Sequence, residues 1–447
     1  MGDTQMTAPL ADSLWWARDR ATLSASPASS RGRTGGSVAF GALVLFVCIL
    51  ILNPQAWFPA LKPLRIALLT SGVAASSLLL ERWRDRKPLG FSSEMLICWL
   101  LVAWSFMTLP LSYWPAGSLA TLTDAYMKAV MLFWLLANVI TTEHRLRVIR
   151  AVLIVCSVPV AGTALSNFFA GRFLPDDKVV ARITGYGQGL SANLNDLALM
   201  LNLLLPLTIA LFLSTTSKLV RSFCIAVITI NILGIIVTFS RGGFLGLATI
   251  AAVYVLQMIR RRGADRAWAF AVVAAAALAV PLLPSEYMDR LATVKSVDAD
   301  PTGSSQARWR DTVAAAQFVT QHPIIGAGIG MDFLALNQIR GNKWLKVHNV
   351  YLEYAVDLGV PGLALFLTLL VRVFKGVRLA RKRLEGVPSQ RQLFLLVEAL
   401  ETSLIVFAIC GFFHPIAYDL FFYFIGGLAL AAGAVTQQTL SATPTRS

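Results

Sequence analysis

Apolar runs of near-spanning length recur from Val38 to Leu430, separated by short breaks that carry charge, proline or glycine. Each is long enough, as a helix, to cross a hydrocarbon core roughly 30 Å thick. With 56% of its 447 residues hydrophobic and 14% charged, the chain has more apolar surface than one soluble core of this length could hide. The expectation is therefore an all-α, polytopic membrane protein with about twelve transmembrane helices. They are placed near Val38–Leu52, Ala60–Leu80, Phe91–Leu109, Leu119–Ile140, Leu146–Ala170, Leu190–Leu213, Leu219–Phe239, Phe244–Ile259, Ala267–Leu283, Val347–Phe374, Leu393–Phe413 and Ile416–Ala434. The domain organisation expected is a disordered cytoplasmic tail (1–37), one transmembrane domain (38–436) and a cytoplasmic tail (437–447).

A formal charge of +15 could point to nucleic acid, but the basic residues alternate between connections. The N-terminal tail has Arg18, Arg20, Arg31 and Arg33. The even-numbered connections carry Arg82/Arg84/Arg86/Lys87, Arg145/Arg147, Lys218/Arg221, Arg260/Arg261/Arg262/Arg266 and Arg372/Lys375/Arg378/Arg381/Lys382/Arg383. By the positive-inside rule these lie in the cytoplasm with both termini, and the odd-numbered connections face out. No nucleic-acid partner is implied. No small-residue cleavage site follows the first apolar run, so it is expected to remain as an anchor. All five cysteines (Cys48, Cys98, Cys156, Cys224, Cys410) fall in apolar runs and are expected to form neither a disulfide nor a zinc site.

The outward connections hold the residues that could do chemistry. Two are long, 171–189 and 284–346, and the second has its own helical pattern from Ser305 to His322. In Ser240-Arg241-Gly242-Gly243, Ser240 can cap the following helix and Arg241 sits at its positive end, a corner suited to phosphate; snorkelling to lipid headgroups is the alternative. Arg182 lies outward ahead of the polar segment Asn193–Asp196, and Arg308 opens the helical run of the large loop, where a solvated face is the alternative. Three arginines could bracket a diphosphate. Of the four histidines, His144 is cytoplasmic, and His322 and His414 precede prolines at turns. His348 stands where the large loop re-enters the membrane, with Asn349, Tyr351 and Glu353 as available orienting partners, so it can serve as a general base. Asp298-Ala299-Asp300 matches a metal-binding triplet of nucleotide-sugar transferases, but such substrates are cytoplasmic and arginine can serve a diphosphate without Mg²⁺. Asp124 and Lys128, four apart in the fourth run, are expected to pair; they also keep a transporter or flippase open as a rival class.

The ordered set Arg182, Asn193–Asp196, Ser240-Arg241-Gly242-Gly243, Ser305-Gln306-Ala307-Arg308, His322-Pro323-Ile324-Ile325-Gly326-Ala327-Gly328 and His348-Asn349-Val350-Tyr351-Leu352, with Gly359 and Gly362, resembles the O-antigen ligase and polymerase superfamily. The resemblance covers about Leu43 to Leu430. It implies a metal-independent, cofactor-free, inverting glycosyltransferase of the bacterial inner membrane, whose site faces the periplasm. The donor implied is an undecaprenyl-diphosphate-linked glycan and the acceptor lipid A core. His348 matches the catalytic histidine of the large periplasmic loop between the ninth and tenth spans, and Arg182 and Arg241 match positions thought to hold the diphosphate. Arg308 is a further candidate for the diphosphate, and Ser240, Asn349 and Tyr351 are supporting residues. Thr312 stands where Trp is common, and Asp357 where Glu is usual. Ligation is favoured over polymerisation because Arg290, Lys295, Arg340, Lys343 and Lys346 offer a basic landing surface for an anionic acceptor.

Overall fold

The structure is a computed structural model and describes residues 37–86, 88–173, 183, 185–187, 192–260, 304–341 and 345–442. These residues are helical apart from short connections and one isolated bridge between Phe173 and Ile183. The principal helices are α1 (Ser37–Leu52), α2 (Ile66–Arg84), α3 (Ser93–Met107), α4 (Pro115–Val139), α5 (Glu143–Phe169), α6 (Leu194–Ser214) and α7 (Lys218–Ile236). Then come α8 (Arg241–Arg260), α9 (Ser304–Gln321), α10 (Asp332–Arg340), α11 (Val350–Leu384), α12 (Arg391–Cys410) and α13 (Leu420–Ala442).

Eleven of the twelve expected apolar runs coincide with helices; the ninth, 267–283, lies outside the described residues, as does all of the large loop before 304. Among the described helices, eight are long and apolar enough to cross a membrane, and α1 and α3 are shorter apolar helices. Side-chain caps start several of them: Ser92 accepts from Met95 N–H (3.2 Å), Thr142 from Arg145 N–H (3.3 Å) and Asn193 from Asn195 N–H (2.9 Å). The core forms where α6, α12 and α13 meet their neighbours through buried Leu, Val, Ala and Phe. Exposed apolar side chains such as Leu68, Leu69 and Val73 on α2, or Leu219 and Ile225 on α7, mark faces turned to lipid.

Connections of the same parity meet. Trp57 packs edge-on to Tyr186 at 5.6 Å, joining the first and fifth connections. Tyr113 N–H donates to Ala327 C=O (2.9 Å), joining the third and ninth, and the His414 ring lies against Gly242, joining the eleventh and seventh. At the other end Arg372 pairs with Glu94 (3.2 Å) and Arg381 with Glu401 (2.5 Å). The odd connections thus gather at one end of the bundle, as the alternation of charge requires.

One helix is broken to make that end. Gly359, in α11, has φ 68°, and Pro361 has no N–H to return to the Asp357 carbonyl. Four of the backbone groups at the break find partners outside the helix. Ala327 N–H donates to Val356 C=O (2.8 Å), Gly328 N–H to Asp357 C=O (2.9 Å) and Val360 N–H to Pro323 C=O (2.8 Å). The Trp104 indole takes Leu358 C=O (2.8 Å). The segment from Pro323 to Gly328 is therefore laid along the break, and this explains its glycines: a Cβ on Gly326 would collide with the Val356 carbonyl, and one on Gly359 with the Ile324 carbonyl. The Asp357 carboxylate completes the seam by accepting from Gly330 N–H (2.8 Å) and Met331 N–H (3.0 Å). A second small core, with Ala315, Phe318, Ala327, Met331, Leu336, Val347 and Val356, fastens α9 and α10 onto it.

Gly359→Ala should lower the stability of the purified protein by on the order of 3 kcal/mol, since it adds both backbone strain and a collision. Gly376→Ala on the same helix, where a Cβ meets nothing within 4 Å, should be neutral or slightly stabilising. Thermal midpoints in detergent compare the two; equal midpoints would contradict the seam.

Candidate functional site

The broken helix starts at Asn349, whose Oδ1 accepts from Tyr351 N–H (2.9 Å) and Leu352 N–H (3.1 Å). Asn349 therefore caps α11, and Tyr351, whose hydroxyl donates to Ala408 C=O (2.6 Å), ties that cap to the end of α12. His348 is held just ahead of the cap. Its Nδ1 lies 3.1 Å from Lys346 C=O. A carbonyl only accepts, so Nδ1 carries the proton and Nε2 presents a lone pair. Burial, then the Arg308 guanidinium, push the imidazole down to about 4, against the opposing pull of Asp311 and the Lys346 carbonyl. At neutral pH the ring is an uncharged acceptor.

Lys346 anchors this strand. Its ammonium pairs with Glu353 Oε1 (3.2 Å), a fully buried carboxylate whose Oε2 accepts from Ala417 N–H (2.9 Å). Glu353 beside it holds the Lys346 ammonium above the usual lysine range. Val347 N–H donates to Asp332 Oδ2 (2.6 Å), and burial raises the Asp332 carboxyl. Asp332, Glu353 and Asp357 bring carboxylate oxygens within 4.8 Å of one another, the spacing of a metal cage. Backbone N–H groups take both oxygens of Asp357, Oε2 of Glu353 and Oδ2 of Asp332, and Lys346 takes Oε1 of Glu353, while Asp332 Oδ1 is buried without a hydrogen-bond partner.

The seventh connection closes the site from the other side. Ser240 Oγ accepts from Gly243 N–H (3.1 Å), capping α8, and donates to Asn195 Oδ1 (2.8 Å). Arg241 is half-buried at the first residue of α8. The glycines here serve close packing as well as the turn. A Cβ on Gly243 would press on Ala198 and one on Gly242 on the His414 ring. His414, read from sequence as a turn residue, is buried among the site's residues: its Nδ1 lies 2.8 Å from Cys410 C=O and its Nε2 3.2 Å from Asn195 C=O. Burial and Arg308 lower it. Arg308 on α9 thus acts on both His348 and His414, while Gly242, next to Arg241, touches His414.

The structure therefore brings Arg308, His348, His414, Ser240 and the start of α8 to one end of the bundle. Arg182 and the Asp298–Asp300 triplet lie outside the described residues. Two expectations are corrected. Arg340 pairs with Asp311 at 2.5 Å, both nearly buried, and Lys346 pairs with Glu353, so neither extends a free basic landing surface; Arg290, Lys295 and Lys343 lie outside the described residues. Asp124 and Lys128 form no ion pair, because a π-helical turn over Leu122–Tyr126 adds a residue to the turn and spoils the four-residue alignment. Sequence reading missed the Lys346–Glu353 anchor. The two are seven apart, but 346–349 is not helical, so no periodicity announces the contact.

A bundle of apolar helices with one end built from a broken helix, a histidine and arginines defines a polytopic membrane protein. Residues 223–367, about a third of the chain, match the family model described as O-antigen ligase. That stretch, which is similar to O-antigen ligases, spans Ser240–Gly243, Arg308, His348 and the break at Gly359. Among curated proteins no relative matches.

Because the imidazole is depressed in the folded protein, its base form persists down to about pH 4. Any activity that needs this base should stay level from about pH 8 to pH 6 and fall roughly tenfold per unit only below its pKa. Arg308→Ala removes a repelling cation and should move that midpoint upward. A wild-type midpoint near the ordinary histidine value, unmoved in Arg308→Ala, would contradict the site.

Proposed function

We propose that this chain is an inverting O-antigen ligase that transfers glycan from undecaprenyl diphosphate to lipid A core at the periplasmic face of the inner membrane. The observation that carries the reading is His348, whose Nδ1 lies 3.1 Å from the Lys346 carbonyl, which leaves Nε2 to accept, within electrostatic reach of Arg308 and at the start of a broken helix. In the proposed reaction Nε2 takes the proton of the acceptor hydroxyl as that oxygen attacks the anomeric carbon. The bond from that carbon to the diphosphate oxygen breaks, and the departing charge falls to Arg241, Arg308 and Arg182. An anionic donor beside Arg308 would also offset the cation that depresses His348, so the base would strengthen when substrate is bound. No enzyme nucleophile is required, and one displacement inverts the anomeric centre. Polymerisation is the second reading, since it needs the same donor and base.

Purified protein given undecaprenyl-diphosphate glycan and lipid A core should yield the conjugate. His348→Ala should lower the rate by about 10²-fold or more while the protein still folds. Arg241→Lys should recover only part of what Arg241→Ala loses, for want of the bidentate fork. Chain growth from donor alone, with lipid A core unmodified, would establish the polymerase instead.

A further inference from the structure

A second polar space lies across the start of α6 from Arg241. It is a cavity of about 300 Å³ whose polar walls are Asn53, Gln55, Asp124, Lys128, Asp196, Tyr418 and Asp419. They come from the first connection, α4, α6 and the connection before α13, so distant parts of the chain converge there. Several features mark it as a site. The π turn at Leu122–Tyr126 leaves Asp124 and Lys128 exposed on the wall without an ion pair between them. Asp196 Oδ1 is buried and accepts no hydrogen bond, and the Tyr418 hydroxyl, on a residue only 3% exposed, has no partner either. Buried polar atoms left in this state are costly unless something satisfies them.

The chemistry of the wall selects among occupants. Three carboxyl groups against one ammonium offer a phosphate or a uronate a single cation. Carboxyl groups that accept, an ammonium that donates, two amides that do both and a tyrosine ring together match an uncharged, hydroxyl-rich ring. The volume is at the small end of ligand sites, suited to one such ring. Position matters as well. Asn195 turns its side chain to Ser240, while its neighbour Asp196 lines the cavity within electrostatic reach of Lys346 and Glu353, which anchor His348.

We propose that this cavity is a sugar subsite, taking one uncharged pyranose ring of the glycan substrate with its hydroxyls on Asp124, Asp196 and Asp419, apart from the basic corner that would take diphosphate. The proposal rests on the glycosyltransferase reading above and names a ring-binding wall for it.

Saturation-transfer NMR on the purified full chain tests this with N-acetylglucosamine and glucuronate as probes. N-acetylglucosamine should give a signal and glucuronate one about fivefold weaker or less. Ala67→Trp, which fills the cavity, should abolish the signal, and Asp124→Ala, at an exposed position, should weaken it. Arg241→Ala should leave it intact, with thermal midpoints confirming that each variant is folded. Absence of signal, equal binding of glucuronate, or indifference to Ala67→Trp and Asp124→Ala would overturn the subsite. Transfer that persists without sugar binding sinks the subsite alone; sugar binding without any transfer sinks the transferase reading and leaves the subsite standing.

Discussion

The break in α11 is the constraint on which the rest depends. A helix interrupted at membrane depth frees backbone groups, and each one left unpaired in a low-dielectric surround costs on the order of several kcal/mol. Here the Pro323–Gly328 segment and Trp104 pair with every group named at the break, so the extramembrane loop is bound to the membrane helix by main-chain hydrogen bonds. That binding fixes where the loop can rejoin the bundle. Asp357 holds Gly330 and Met331, Asp332 holds Val347, and Lys346 reaches Glu353, so the strand leading to His348 is fastened residue by residue.

The electrostatics follow from this placement. Arg308 depresses His348, while the carboxyl groups of Glu353, Asp332 and Asp419 act on Lys346, and Lys346 in turn on Asp196. Lys346 serves them as an internal counter-ion and lends its carbonyl to the imidazole. On the proposed reading the two sides divide the work: the basic corner receives developing negative charge, and the acidic wall receives hydroxyls.

The helices were legible because apolar periodicity and length report directly on a lipid environment, and the charge alternation put the odd connections together. The Ser240 cap was legible because capping is local. What was not legible depends on partners distant in sequence. Arg340 and Lys346 read as free surface charge, because nothing local announces Asp311 or Glu353. Asp357 read only as a departure from a pattern, yet its carboxylate closes the seam. Asp124 and Lys128 had the right spacing for a regular helix, and a π turn undid it. His414 read as a turn residue because its neighbours, Gly242 and Asn195, lie in other connections.

The central claim is that one end of this bundle holds a glycan-linked diphosphate between Arg241 and Arg308 with its anomeric carbon facing His348. An electron cryo-microscopy map of the protein with undecaprenyl diphosphate bound tests it most directly. The account predicts diphosphate density within hydrogen-bonding distance of both guanidinium groups and on the His348 Nε2 side of the seam. Diphosphate density in the carboxylate-lined cavity by Asp124 and Asp419, or at the opposite end of the bundle by Arg372 and Arg381, would contradict it.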